Sequence, residues 1–234
     1  MGLQKVLNTF IHLYSFGIMV GYLLMVLLSP LYQKISKPMS LRPILVVYNY
    51  ACSLLSVCTF AMFAYGMYDA GSVFRMESTL VLKQAFLLYR IAKYIELLDT
   101  VFMILRHKRR QISFLHVYHH GSMINLAEFS YLLTPWAAVA FSLGLNSLIH
   151  VCLYFYYGRC AANPDSPPSW KKQMTQLQIA QFFVILVHCT VGYLYHGFCG
   201  YSIFFCMTMI YLFGSFYVVA FLRSKQPKDQ IKSE

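Results

Sequence analysis

The chain has 234 residues, 59% of them apolar or aromatic and only 12% charged, with a formal net charge of +11. A soluble domain carries about twice that charged share, and the apolar residues here run in long blocks, not in the short alternating runs of a β-sandwich or β-barrel. Lys and Arg gather between the blocks and do not line one face, which excludes a nucleic-acid surface and marks the loops on one side of a helical membrane protein.

A spanning helix takes about 20 mostly apolar residues. Seven blocks reach that length, near 10–30, 43–67, 80–105, 113–133, 136–158, 175–197 and 201–222. The first has no small-residue cleavage site after it and reads as a retained span. Lys34, Lys37 and Arg42 follow it, whereas only Arg75 follows the second. The third is interrupted by Lys83, Arg90, Lys93, Glu96 and Asp99 and runs into Arg106, Lys108, Arg109 and Arg110. A turn at Thr134-Pro135 with no basic residue separates the fourth from the fifth. After the fifth come Arg159, Lys171, Lys172 and the loop Asn163-Pro164-Asp165-Ser166-Pro167-Pro168; no Lys or Arg follows the sixth, and the tail carries Arg223, Lys225, Lys228 and Lys232. This alternation predicts a lumenal or exterior N-terminus and a cytosolic C-terminus. There is no internal repeat and no linker, so residues 1–234 read as one seven-helix domain. The seven cysteines have neither CxxC nor metal-like spacing and read as core or lipid-facing residues.

Ionisable and amide groups at membrane depth cost kilocalories and are functional candidates by default. In KYIELLDT, residues 93–100, Lys93, Glu96 and Thr100 fall along one helix face and Asp99 about a third of a turn away. A Lys93–Glu96 pair that merely neutralises itself is the architectural alternative. HVYHH places His116, His119 and His120 on one face at the start of the fourth span. In NSLIHVCLYFYY, Asn146 and His150 are one turn apart, and Tyr154 and Tyr157 extend the stripe. Such tyrosines also suit an interfacial belt. Thr175, Gln178 and Gln181 recur at the start of the sixth span, where amides also serve simply to bond neighbouring helices. All four sets fall in the half of their spans predicted to face the cytosol.

Three histidines on one face invite a metal. However, adjacent His119 and His120 splay apart, His12 and His196 lie near the opposite end, His107 is in a basic loop, and only His150 and His188 remain to complete a two-metal site. No metal is therefore assigned. Acid–base and nucleophilic chemistry by imidazole is the stronger reading, in which a neutral histidine oriented by a second one accepts an acyl group.

KPMSLRPILVVYNY at 37–50, KYIELLDTVFMILR at 93–106, QISFLHVYHH at 111–120, NSLIHVCLYFYY at 146–157 and WKKQMTQLQIAQF at 170–182 follow one another in the order found in the ELO family, which the chain resembles from Pro30 to Arg223. The resemblance implies an all-α membrane protein whose seven helices form a barrel around an acyl tunnel. It also implies a 3-ketoacyl-CoA synthase of the endoplasmic reticulum that condenses a long-chain acyl-CoA with malonyl-CoA, releasing CO2 and CoA, with no bound cofactor. His119 would be the acyl-accepting nucleophile, with His150 acting on the malonyl thioester and His116 and His120 supporting. Lys93, Glu96, Asp99, Asn146, Tyr154, Gln178 and Gln181 would line the site, and Arg106, Lys108, Arg109, Arg110, Lys171 and Lys172 would meet the CoA phosphates. Gln111, Tyr118 and TQLQ look closer to the branch acting on polyunsaturated chains, whereas Leu153 departs from the usual Met. Implied partners are the bilayer, the 3-ketoacyl-CoA reductase, dehydratase and enoyl reductase of the elongation cycle, and a second copy in a homodimer. No nucleic acid is expected. Membrane di-iron desaturases or hydroxylases, which also use HxxHH boxes, and non-catalytic lipid-binding or transport proteins are the alternative readings.

Overall fold

A computed structural model describes residues 14–223. His12 and the tail residues Lys225, Lys228 and Lys232 lie outside the described residues. All regular structure in the described part is helical: α1 (Tyr14–Ile35), α2 (Arg42–Ala70), α3 (Leu80–Ile95), α4 (Leu98–Leu105), a 3₁₀ turn (Arg109–Gln111), α5 (Phe114–Leu133), α6 (Ala137–Ala162), α7 (Lys171–Tyr195), and α8 (Tyr201–Tyr217), which runs on into a π turn (Val218–Leu222).

Local chemistry sets several of these boundaries. Pro43 stands in the first turn of α2, where a missing N–H costs nothing. The Thr79 hydroxyl caps α3 by accepting from Leu82 N at 3.2 Å, and Ser113 caps α5 by accepting from His116 N at 3.2 Å. That second cap fixes the start of the helix bearing the three clustered histidines.

Five helical segments are long and apolar enough to cross a membrane: α1, α2, α6, α7, and α8 with its π turn. The other two expected spans became α3–α4 and α5, the segments that carry Lys93, Glu96, Glu128 and the clustered histidines. The continuous third span expected over 80–105 is corrected: it is two helices. Leu97 N bonds to Tyr94 O at 3.3 Å, Asp99 N to Glu96 O at 3.1 Å and Thr100 N to Leu97 O at 3.2 Å, a 3₁₀-like tightening with neither Pro nor Gly to cause it. Side chains on both sides of it are hydrogen-bonded to α5 and α6.

The chain divides into two compact units, Met1–Pro167 and Pro168–Glu234. In the first, α2 packs along α6, α3 lies against α2, α5 and α6, and α1 lies against α5 and α4. Small residues permit the α2–α6 contact. A Cβ at Gly158 would sit 3.0 Å from Tyr50 Cε1, and one at Gly144 would sit 3.2 Å from Phe63 Cβ. In the second unit α7 packs against α8.

Candidate active site

The polar centre of the first unit is built on the α3–α4 segment. Lys93 Nζ donates to both carboxylate oxygens of Glu96, each at 2.9 Å, with both side chains all but fully buried. The pair read from the sequence therefore forms, but it is not self-contained. His150 Nδ1 of α6 lies 3.2 Å from Glu96 Oε1. An ionised carboxylate only accepts, so Nδ1 carries the proton and His150 Nε2 is left with its lone pair, the form of an imidazole that can accept a proton. Lys93 Nζ, 3.5 Å from the same Nδ1, is then a close neighbour and not a hydrogen-bond partner. Tyr89 closes the other side, its ring centroid 4.7 Å from Lys93 Nζ and its hydroxyl donating to Asn146 Oδ1 at 2.9 Å. An ammonium over an aromatic face in a desolvated setting gains further stabilisation.

Beyond the tightened turn, the same segment turns to other partners. Asp99 Oδ2 accepts from Tyr154 OH of α6 at 2.7 Å, and Tyr154 also meets the His150 ring at 5.7 Å between centroids. Thr100, fully buried, places its hydroxyl 2.8 Å from His116 Nε2 of α5. Glu96 thus serves α6, Asp99 serves α6 one turn on, and Thr100 serves α5. A straight helix would carry Lys93, Glu96 and Thr100 along one line; the break divides them between two neighbouring helices.

The three histidines of α5 form a contiguous set. His116 and His120 are 4.4 Å apart between ring centroids, and His120 meets His119 edge-on at 5.3 Å. His119 faces His150 across the helices at 6.4 Å with the rings 34° from parallel. Among the described residues the His119 imidazole makes no hydrogen bond, while those of His116 and His150 are each held by a partner. His120 is buried and His119 is partly open. Of the four imidazoles, His116 and His150 are held by hydrogen bonds, His120 is buried between His116 and His119 by ring contacts, and His119 faces His150. Among the described residues no group of three or more His, Cys, Asp or Glu side chains is arranged to hold a metal ion.

The basic cluster lies directly before α5. Lys108, Arg109 and Arg110 are exposed and Arg106 is half-buried. The chain enters this loop through a left-handed cap: His107 has φ 55°, His107 N bonds to Ile104 O at 3.0 Å and Lys108 N to Met103 O at 2.8 Å. A residue with a Cβ is strained there, and a contact of 3.1 Å between His107 Nε2 and Ser36 Oγ helps to hold it. Lys171, Lys172, Gln178 and Gln181 belong to the second unit. The two lysines are exposed, with Lys172 Nζ 5.8 Å from the Tyr217 ring centroid, and Gln181 is buried with Oε1 unbonded.

Several participants escaped the sequence reading. Tyr22, Tyr89 and Tyr48, whose hydroxyl donates to Ile95 O at 3.2 Å and whose ring meets Tyr154 edge-on, are three of 19 tyrosines, with nothing local to single them out. Glu128 carried the signal already used elsewhere, an acid inside an apolar block. It is 1% exposed, accepts from Tyr94 OH and Ser15 N, each at 2.7 Å, and lies 3.7 Å from Arg90.

Lys, Glu and His side chains buried together in a helical protein with several membrane-length apolar helices mark a candidate functional site. Residues 8–229 match the ELO family, described as the GNS1/SUR4 family. The chain is 35% identical over 229 residues to very long chain fatty acid elongase 5 of Homo sapiens, covering 91% of this chain and 76% of that protein. It is 35% identical over 224 residues to very long chain fatty acid elongase 4 of Homo sapiens, covering 88% and 71%. Against the elongase 5 of Rattus norvegicus the identity is 36% over 227 residues, covering 90% and 76%. The chain belongs to the ELO family.

Proposed function

We propose that this protein is the condensing enzyme of fatty acid elongation, joining a long-chain acyl-CoA to malonyl-CoA through a histidine-bound acyl intermediate. The observation that carries this reading is the pairing of His119 with His150. Their ring centroids are 6.4 Å apart, His150 is oriented by the Glu96 carboxylate, and His119 is unengaged. That separation brings both imidazoles within reach of one thioester.

In the proposed sequence a ring nitrogen of His119 attacks the acyl carbonyl, the C–S bond breaks and CoA leaves as its thiol after taking up a proton. Malonyl-CoA then loses CO2, and the carbon bearing the released electron pair attacks the acyl-imidazole carbonyl. The C–N bond breaks, the His119 imidazole takes up a proton from water to regenerate its neutral form, and a 3-ketoacyl-CoA two carbons longer departs. His150 Nε2, with Glu96 fixing its tautomer, accepts the proton that His119 loses on acylation and hands it to the departing thiolate. Arg106, Lys108, Arg109 and Arg110 take the CoA phosphates. The α3–α4 pair and α5 each cross the endoplasmic reticulum membrane in addition to the five long apolar helices, with the basic loops on the cytosolic side. A 3-keto product requires a reductase, a dehydratase and an enoyl reductase to follow.

Membranes containing the protein, given labelled malonyl-CoA and a panel of acyl-CoAs without NADPH, should accumulate labelled 3-ketoacyl product. His119→Ala should form none. Full product from His119→Ala overturns the nucleophile assignment. No product from folded wild-type protein with any acyl-CoA overturns the reading itself.

A further inference from the structure

The helix that looks least involved in the site reaches it through one hydroxyl. Most of α1 is apolar and outward-facing: Leu23, Leu24, Leu27, Leu28 and Leu31 are all exposed. Its buried residues are Ser15, Tyr22 and Ser29, spaced seven apart along a single stripe. Tyr22 is 4% exposed, and its ring lies against α5 at Gly121, where a Cβ would meet Tyr22 Cε1 at 4.0 Å. From there its hydroxyl lies 3.1 Å from Thr100 Oγ1, the same atom that is 2.8 Å from His116 Nε2.

A threonine hydroxyl has one proton and two lone pairs. If it donates to His116 Nε2, its other neighbour must donate to it, and the Tyr22 hydroxyl is the group in place to do so. Thr100 is fully buried, so no solvent can substitute when that donor is lost. Without Tyr22, the threonine hydroxyl can rotate to the backbone carbonyl of its own helix and release His116. His116 stands 4.4 Å from His120, which meets His119 edge-on, so a shift of the first ring is felt at the third.

We infer that Tyr22 is a positioning residue of the condensation site, acting through Thr100 to fix the tautomer and ring orientation of His116 and, through the stacked histidines, the approach of His119. This rests on the proposed function for its catalytic consequence but not for its structural content. α1 is thereby a component of the active site and not only a lipid-facing cover.

Two readouts test it. In detergent-purified protein labelled with ¹⁵N-histidine, the His116 resonances, assigned with His116→Gln, should shift in Tyr22→Phe toward mixed tautomers. Unchanged His116 resonances overturn the inference whatever the enzyme catalyses. In the condensation assay, Tyr22→Phe should lower kcat about fivefold to tenfold, the range of one lost hydrogen bond, with KM for acyl-CoA within about twofold. Thr100→Val should do the same, and the double variant should be no worse than Thr100→Val alone, because both act through one contact. Asn125→Ala supplies the structural control. It breaks a different α1 contact, Asn125 Nδ2 to Met19 Sδ at 2.8 Å, without touching the relay. A kcat loss in Asn125→Ala equal to that in Tyr22→Phe, or additive losses in the double variant, shows that α1 acts only as scaffold. Loss of product in wild-type membranes strikes the proposed function and leaves the spectroscopic result to stand on its own.

Discussion

Replacing Glu96 by Gln separates an architectural ion pair from a functional one. The carboxylate holds the Lys93 ammonium at 2.9 Å through both oxygens and His150 Nδ1 at 3.2 Å. Gln offers one uncharged acceptor for these two donors, and Lys93, 3% exposed, keeps its charge without a counter-ion. Removing one partner of a buried pair costs about 3–5 kcal/mol, because the survivor remains desolvated. For a chain of this size that is a fall of roughly 10 °C in melting temperature. The informative variant is the double, Lys93→Met with Glu96→Leu. Replacing a whole buried pair by apolar groups of similar size is neutral to stabilising, so thermal unfolding in detergent should return to near the wild-type midpoint. Condensation should not return, because His150 has lost the acceptor that sets its tautomer. Expected activity is below about 1% of wild type, the scale of losing an oriented acid–base group. A double variant that is both stable and active would refute the argument and leave Lys93–Glu96 a neutralised pair with no chemical role.

Two further outcomes follow from the same structure. Glu128→Ala strands the Arg90 guanidinium and frees Tyr94 OH and Ser15 N, so it should cost about 3 kcal/mol, read as a lower midpoint of thermal unfolding in detergent and as limited proteolysis of α1. Changing Lys108, Arg109 and Arg110 together to Gln should raise KM for CoA esters about tenfold at low salt and leave kcat unchanged. The difference should shrink as ionic strength approaches 1 M, where charge interactions beyond about 3 Å are screened.

The helical class and the gathering of Lys93, Glu96, His116, His119 and His150 into one polar centre were legible because an ionisable side chain inside an apolar block is too costly to keep without a partner or a task. Local spacing also gave the Lys93–Glu96 contact correctly. Asn146 and His150, expected on one stripe, are both buried on α6 and both meet the α3 segment, but their partners there, Tyr89 and Glu96, could not be read from spacing. A tyrosine hydroxyl has no sequence signature of its partner, so Tyr22, Tyr48 and Tyr89 were invisible among the rest. The break after Ile95 was equally hidden. It falls, with tertiary hydrogen bonds on either side, in a run, ELLD, that propensity alone would leave helical.

That break gives the segment the properties of a joint. Both halves are fastened to both neighbours: Glu96 and Asp99 to α6 through His150 and Tyr154, and Tyr94 and Thr100 to α5 through Glu128 and His116. The number of residues between Glu96 and Thr100 is therefore a fixed length between two anchors, not a helical repeat. Inserting one residue after Leu97 would rotate Asp99 and Thr100 by about 100° and unhook both while leaving Lys93, Glu96 and His150 untouched. The segment thus ties α5 and α6 together on both sides of the break, so any sliding of α5 past α6 strains contacts in both halves at once.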